Sequence, residues 1–258
     1  MAHTIYENFV LENKIEDFLK TNIDMNNYIT ADYTLAENAG MTKTVNVYTA
    51  TGNVEDLNMG EGNTGDIEVA FAGKDYVVGV TQGRFPYFDE EEMKDPNVVE
   101  VGIEKLTKEM TNDLTTKAIA EMGKTELTKQ CDFTFEGIVD AIALYPYEDE
   151  QGLFLLINPA QKATLRKNLG AELKYVEDFV RTGYIGSVCG VPVIVSKAVP
   201  AGVAYLATKE AVTVFVKKGV EIEQERDANK RQNLIYARKV MLVALTDGTR
   251  VIKLTTTP

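Results

Sequence analysis

Tryptophan is absent from this 258-residue chain, histidine occurs once and cysteine twice. The lone histidine, His3, stands in the terminal stretch, where it is a poor core general base, so a histidine triad is not expected. Cys131 and Cys189 lie far apart with neither a CxxC spacing nor a histidine partner. They read as two buried free thiols rather than a zinc site or a thiol nucleophile, and a disulfide is open but not implied. No apolar run reaches the ~20 residues of a membrane helix. The start, MAHTIYENFVLENKIEDF, lacks the basic region and apolar block of a secretory signal. Positive charge is short as well: 27 Lys and Arg against 39 Asp and Glu leave a formal net charge of −12. That argues against nucleic-acid binding as the main role, because such binding rests on cationic neutralisation of phosphate. An acidic wall around DNA remains compatible, since it would not trap the DNA.

Catalytic signatures are missing too. There is no GxSxG, no HExxH and no dinucleotide fingerprint. The GEGNTG run has no Lys-Ser/Thr after it and no helix start, so it is a weak phosphate cradle. The acidic runs at Asp89–Glu92 and Glu148–Glu150 read as solvated turns rather than cation sites. A carboxylate-based hydrolase stays open, because its acid pair need not be close in sequence. No cofactor and no metal ligand set is expected.

What is present is organised around Asp95–Gly123. Asp95 suits a helix cap, Pro96 the first helical position, and Gly123 a left-handed terminator. Val99, Ile103, Leu106, Met110, Leu114, Ala118 and Met122 recur in steps of three and four and make one apolar stripe. Glu104, Lys105, Lys108, Glu109, Asp113 and Lys117 line the other face. A helix of about 27 residues spans roughly 40 Å, which is long for a domain of this size, and no strict heptad marks it as a coiled coil.

Before this helix, Ile5, Phe9, Val10, Ile15, Phe18 and Leu19 outline a short amphipathic helix, followed by a polar stretch to Gly40 without clear periodicity. The alternating runs KTVNVYTAT and DIEVAFAGKDYVVGVTQG predict a long two-stranded hairpin with a Gly- and Asn-rich tip, acidic at Glu55, Asp56, Glu61 and Asp66. Such a hairpin is marginal in water and needs something to lie on. RFPYFDEEEMK reads as a link into the long helix. After it come a helix from Thr134, a strand at Leu153–Ile157, a helix from Pro159 to Gly170, and strands at CGVPVIVS and within VAYLATKEAVTVFVKK. These form a small α/β unit. The final part predicts strands at Val220–Glu225, Asn233–Leu245 and Arg250–Leu254, with a charged turn from Glu225 to Arg231 between the first two. That turn is either a solvated loop or an intersubunit ion-pair cluster.

The order of these parts, with GYIGSVCGVPVIVSKAVPAG and the strand pair around ERD, resembles the major capsid proteins of tailed bacteriophages, the Hong Kong 97-type shell fold. The resemblance covers nearly the whole chain. It implies an α+β fold with an N-terminal arm over 1–40, an extended hairpin over 41–84, a peripheral domain over 85–131 and 209–258 with a spine helix at 96–122, and an axial α/β domain over 132–208. It implies no enzyme but a subunit that builds hexamers and pentamers of an icosahedral virion shell around DNA, made in the bacterial host cytoplasm and not in a membrane. A separate scaffolding protein, a portal and a decoration protein are the implied partners. The arm, through Ile5 and Phe9, would reach a neighbour. The acidic tip at Glu55, Asp56 and Glu61 would meet Lys105, Lys108 or Lys117 of an adjacent spine helix. Arg226, Asp227, Lys230 and Arg231 would meet their counterparts where three capsomers join, and residues 174–183 would lie near the ring axis. Encapsulins, which share the fold and enclose enzymes, are the alternative; a stand-alone α/β enzyme is the alternative from another class.

Overall fold

In a computed structural model, residues 25–37, 40–146, 152–172 and 186–256 are described. Ile5, Phe9, residues 174–183 and the run Glu148–Glu150 lie outside them. Two sheets share one core. The first has strand order β1-β10-β11-β4, formed by Thr30–Asp32, Val212–Asp227, Gln232–Leu245 and Gly79–Phe88. The second has order β5-β12-β9-β6-β8-β7, formed by Thr128–Gln130, Val251–Thr255, Val203–Ala207, Phe154–Ile157, Val191–Val195 and Ser187–Val188. The remaining strands, β2 (Thr42–Thr51) and β3 (Glu68–Val77), pair only with each other.

Among the described residues the α-helices are α1 (Thr34–Glu37), α2 (Asp89–Lys94), α3 (Asn97–Met122), α4 (Phe135–Ile142) and α5 (Pro159–Glu172). The main core joins Leu114, Ala118, Ile119 and Met122 of α3 to Val212, Val214 and Val243 of the first sheet and to Phe154 and Leu156 of the second. The alternate residues Leu155 and Ile157 turn the other way, towards Ile138 of α4 and Leu165 of α5. Strand β6 is therefore buried on both faces, which is why FLLI shows no alternation. On the back of the first sheet, Phe215, Leu242 and Ala244 receive Leu35, Val45 and Val78.

Several local signals fold as read. Thr134 caps α4, its Oγ1 accepting from the Gly137 amide at 3.1 Å. Asn158 Oδ1 accepts from the Ala160 amide at 3.0 Å at the start of α5. Asp95 Oδ1 accepts from the Asn97 amide at 3.0 Å at the start of α3.

Others differ. Gly123 is not left-handed: its φ is −65°, and it continues the helical turn. A Cβ there would sit 3.2 Å from the Tyr205 hydroxyl, so close approach makes the better account of this glycine. Helix α5 runs past Gly170 to Glu172. The stretch read as aperiodic leader is part of the core from Met25 onward. Met25 and Ile29 are fully buried, and β1 pairs in parallel with β10. The segment read as a link contains the second half of β4, an edge strand where Pro86 lacks no needed donor on the open side. The two runs read as separate strands around Gly219 are one strand, β10, with irregular register between Val216 and Glu221. Cys131 is buried and burial raises its thiol pKa, whereas Cys189 is only half-buried; both are free.

One acid-sensitive joint follows from the cap before β12. Burial pushes the Asp247 carboxyl up, but the Thr249 hydroxyl and amide and the Arg250 guanidinium outweigh it and hold the group below its usual value. A depressed carboxylate contributes stability above its unfolded pKa and loses it as pH falls through the folded one. Melting temperature should therefore drop as pH falls below about 4. In Asp247→Asn that acid limb should flatten, with a lower melting temperature already at pH 7; thermal melts across pH check this.

Candidate assembly surfaces

The hairpin is a ten-pair ribbon running from Thr42↔Val77 to Thr51↔Glu68. Its base is fixed: Val78 N donates to Met41 O at 2.7 Å, Val45 is buried, and the Lys43 ammonium lies 5.2 Å from the Phe215 ring centroid. Further along β3, Val69 and Phe71 are exposed to 61% and 71%. Beyond the ribbon, Gly52 turns the chain at φ +121°, where a Cβ would come 2.6 Å from Asp66 O. Only glycine suits both the angle and the space.

The tip uses part of its own acid. Glu55 accepts from the Thr64 amide and hydroxyl at 2.8 and 2.6 Å, and these contacts, the hydroxyl foremost, lower its pKa. Glu61 accepts from the Asn58 amide and side chain at 3.2 and 3.1 Å. Asp56 has no hydrogen bond or ion pair among the described residues. Beside it Val54, Leu57 and Met59 project into solvent. Apolar side chains inside an acidic, Gly-rich tip were the signal that reading by charge alone passes over.

Helix α3 changes character along its length. Its C-terminal half is sunk in the core, from Met110 to Met122. Its N-terminal half is covered on one side only, by β4. There each glycine admits the other element's bulk: Gly83 faces Leu106 and Gly102 faces the Phe85 ring. Two apolar grooves flank this half. The outer one, of about 560 Å³, runs over Pro96, Val99 and Ile103 with Glu100, Glu104 and Lys108 at its rim. The inner one, of about 620 Å³, lies between α3 and β4 on Phe85, Val98, Val101 and Leu106, with Arg84 and Lys105 beside it.

The three lysines of α3 are already partnered within the helix. Lys105 pairs with Glu109, Lys108 with Glu104 at 3.6 Å, and Lys117 with Asp113 at 2.6 Å. Lys117 also donates to Thr81 Oγ1 at 2.7 Å, and the Lys108 side chain is only 14% exposed. The β10–β11 turn is likewise tied to its own chain. Arg226 and Asn233 both bond Asp89 at 2.8 Å, Arg231 lies 3.6 Å from Glu90, and Lys230 3.8 Å from Asp227. The acidic run at the start of α2 is thus a clamp for this turn, not a free surface. Among the described residues no group of three or more His, Cys, Asp or Glu could hold a metal ion.

No family model matches the sequence. The major capsid protein of Staphylococcus phage phiMR11 is 29% identical over 135 residues. That match spans about half of each chain, 50% of this one and 49% of the relative. The capsid of a native GTA particle superposes with a TM-score of 0.72, 11% identity and coverage of 91% of this chain and 90% of that one. The mature capsid of bacteriophage PhiM1 gives 0.70, 10% identity, and 92% and 87% coverage. A virus-like particle from Pyrococcus furiosus gives 0.60, 14% identity, and 97% and 100% coverage.

The chain has the Hong Kong 97-type shell fold. The α+β class holds and the long helix runs over Asn97–Met122, but the hairpin is shorter than read: its second strand ends at Val77, and residues 79–83 of the same alternating run belong to β4 in the first sheet. The residues singled out from sequence divide into groups. Glu55, Glu61, Asp227 and the three α3 lysines are engaged inside the subunit, and Arg226, Lys230 and Arg231 make intrachain ion pairs while remaining solvent-exposed. Asp56 is left free. Arg84, Phe85, Val98 and Val101, which wall the inner groove, were not singled out, because their segment read as a link and a helix start.

Proposed function

We propose that this chain is a major capsid protein that assembles, as hexamers and pentamers, into the icosahedral head shell of a tailed bacteriophage around its double-stranded DNA. The single observation that carries the reading is the ribbon with its bare apolar face and tip. An isolated two-stranded ribbon is marginal in water, and this one exposes Val54, Ile67, Val69 and Phe71, while Val45 at its base is buried. It becomes reasonable when it lies across an adjacent copy. The shell fold and the similarity to a phage capsid protein support the same assignment.

The arm read over 1–40, with Ile5 and Phe9, lies outside the described residues up to Met25. In this reading the ribbon is the extended loop, α3 the spine of a peripheral domain that includes the first sheet, and residues 132–208 the axial domain. A separate scaffolding protein, a portal and an external decoration protein are its partners, and the protein resides in the virion after synthesis in the host cytoplasm. The net charge of −12 suits a wall that holds DNA without trapping it. The β10–β11 turn, clamped by Asp89, presents Arg226, Asp227, Lys230 and Arg231 as a preformed unit where capsomers meet.

Size exclusion with light scattering tests the reading. Uniform assemblies of megadalton mass or discrete rings support it; a monomer at every concentration and salt, with the candidate scaffolding protein present, sinks it. Particles filled with protein rather than nucleic acid would favour the encapsulin-type alternative. The salt response is a further expected result. Exposed ion pairs are screened beyond about 10 Å at 0.1 M salt, but the α3 lysines already have carboxylate partners in their own helix. Formed particles should therefore survive 1 M NaCl with less than about a twofold loss, measured by sedimentation; dissolution by salt would mean charge holds the subunits.

A further inference from the structure

We propose that the outer face of α5 is a contact for the phosphate backbone of DNA, made by Lys162, Arg166 and Lys167, with Lys197 at the start of the helix. The proposal rests on the shell reading for the source of the DNA and adds where the wall touches it.

In a chain with excess acid, this helix is an exception. From Pro159 to Asn168 it has no Asp or Glu, and its own carboxylate, Glu172, comes at the far end. Lys162, Arg166 and Lys167 have no hydrogen bond or ion pair among the described residues. The lysines of α3 and the cations of the β10–β11 turn, by contrast, have carboxylate partners. Lys162 is half-buried. Burial first, and then the Arg166 guanidinium one turn away, push its ammonium pKa down, with no carboxylate of the described residues opposing them. A phosphate oxygen between the two cations relieves that repulsion.

The face is held in place. Gln161 and Leu165 are buried beneath it, and Asn168 Nδ2 donates to Phe133 O at 2.9 Å. At the other end Asn158 Nδ2 donates to Val199 O at 2.7 Å. The Ser196 amide donates to Ile157 O at 2.9 Å, which sets Lys197 beside the start of α5, exposed and also without a partner among the described residues. The carboxylates of the neighbouring helix, Glu136 and Asp140, stay on α4, where Lys129 lies 3.5 Å from Asp140.

The residues between the cations favour a phosphate backbone over a protein. Ala160, Ala163 and Thr164 are exposed and small. Protein interfaces need an apolar centre with aromatic anchors and are depleted in lysine. Backbone contacts need only positioned cations, and they carry no sequence information. One helical turn sets Lys162 and Arg166 about 6 Å apart along the axis, so a backbone running along α5 meets both in turn. A few such contacts in a subunit of net charge −12 hold DNA without trapping it.

The test is fluorescence anisotropy of a short labelled DNA duplex titrated with the unassembled full chain. Binding should saturate at low salt, and log affinity should fall linearly with log salt. The triple variant Lys162→Gln, Arg166→Gln, Lys167→Gln should bind at least about tenfold more weakly, and its salt slope should shrink by about 2.7. A charge-matched variant, Lys94→Gln, Lys209→Gln, Lys253→Gln, should stay within about twofold of the unsubstituted chain. Equal losses in the two variants would mean that overall charge governs binding and would overturn the proposal, as would no binding by the unsubstituted chain. Binding of poly-glutamate but not of the duplex, lost in the triple variant, would assign the face to an acidic protein and also overturn it. In DNA-filled particles, formaldehyde should join Lys162 and Lys167 to nucleotides. Cross-linked peptides that lack both overturn the contact and leave the shell reading standing. Failure of the unsubstituted chain to form particles overturns the shell reading itself, and the duplex titration then still decides whether α5 takes phosphate.

Discussion

Deleting residues 53–65 is expected to abolish closed particles while leaving a folded subunit. Particle yield by sedimentation should fall more than tenfold, and the subunit's melting transition should move little, within about 0.5 kcal/mol. Both halves of that result follow from where the tip stands. None of its residues belongs to any of the three hydrophobic clusters, so its removal costs the core nothing. The ribbon ends at the Thr51↔Glu68 pair, and Gly52, Asp66 and Ile67 remain to close it. A short turn with glycine in the left-handed region is a normal hairpin end. What is lost is Val54, Leu57 and Met59, whose exposure serves no purpose inside one subunit. A stand-alone enzyme would lose little by the same deletion, and retained particles would show that the tip is not an assembly element.

The second large effect is expected inside the subunit, at Gly102. A Cβ at this position would lie 2.3 Å from two atoms of the Phe85 ring. That ring stacks on Tyr87 at 5.7 Å between centroids and is held by the β4 backbone, so it cannot simply swing aside. Gly102→Leu should destabilise the subunit by about 2–3 kcal/mol through overpacking. The better helix propensity of leucine offsets at most about 1 kcal/mol of that. The reciprocal site is softer, because the atom facing Gly83 is the flexible end of Leu106 at 2.2 Å, so Gly83→Ala should cost less. Gly62→Ala, with nothing within 4 Å, is the neutral control. Denaturant melts of the three variants rank them, and an unchanged midpoint for Gly102→Leu would mean that β4 and α3 do not pack as closely as described.

These two positions also show what was legible in the sequence. The long helix was, because its stripe and its cap are local signals, and the hairpin was, because alternation and a Gly-rich tip are local too. The three-residue strands β1 and β5 were not. Runs such as TAD and TKQ carry no period of their own and become strands only by pairing with β10 and β12. The length of β10 was hidden by Gly219, which marks irregular pairing inside a strand rather than its end. Strand β4 was half missed because Pro86 and the acidic run after it look like a link, although an edge strand tolerates proline. At the candidate surfaces, charge drew attention first. Lys105, Lys108 and Lys117 look like free cations in sequence, but their partners one helical turn away neutralise them. The grooves themselves were illegible, since each is made from α3 together with how far β4 covers it, and that is a tertiary fact.

Single-particle electron microscopy of the heaviest fraction from a size-exclusion column tests the central claim most directly. The account predicts closed particles of uniform size, built from hexameric and pentameric rings, with each hairpin crossing an adjacent subunit. Monodisperse single subunits under all conditions, or rings in which each hairpin folds over its own subunit, would contradict it.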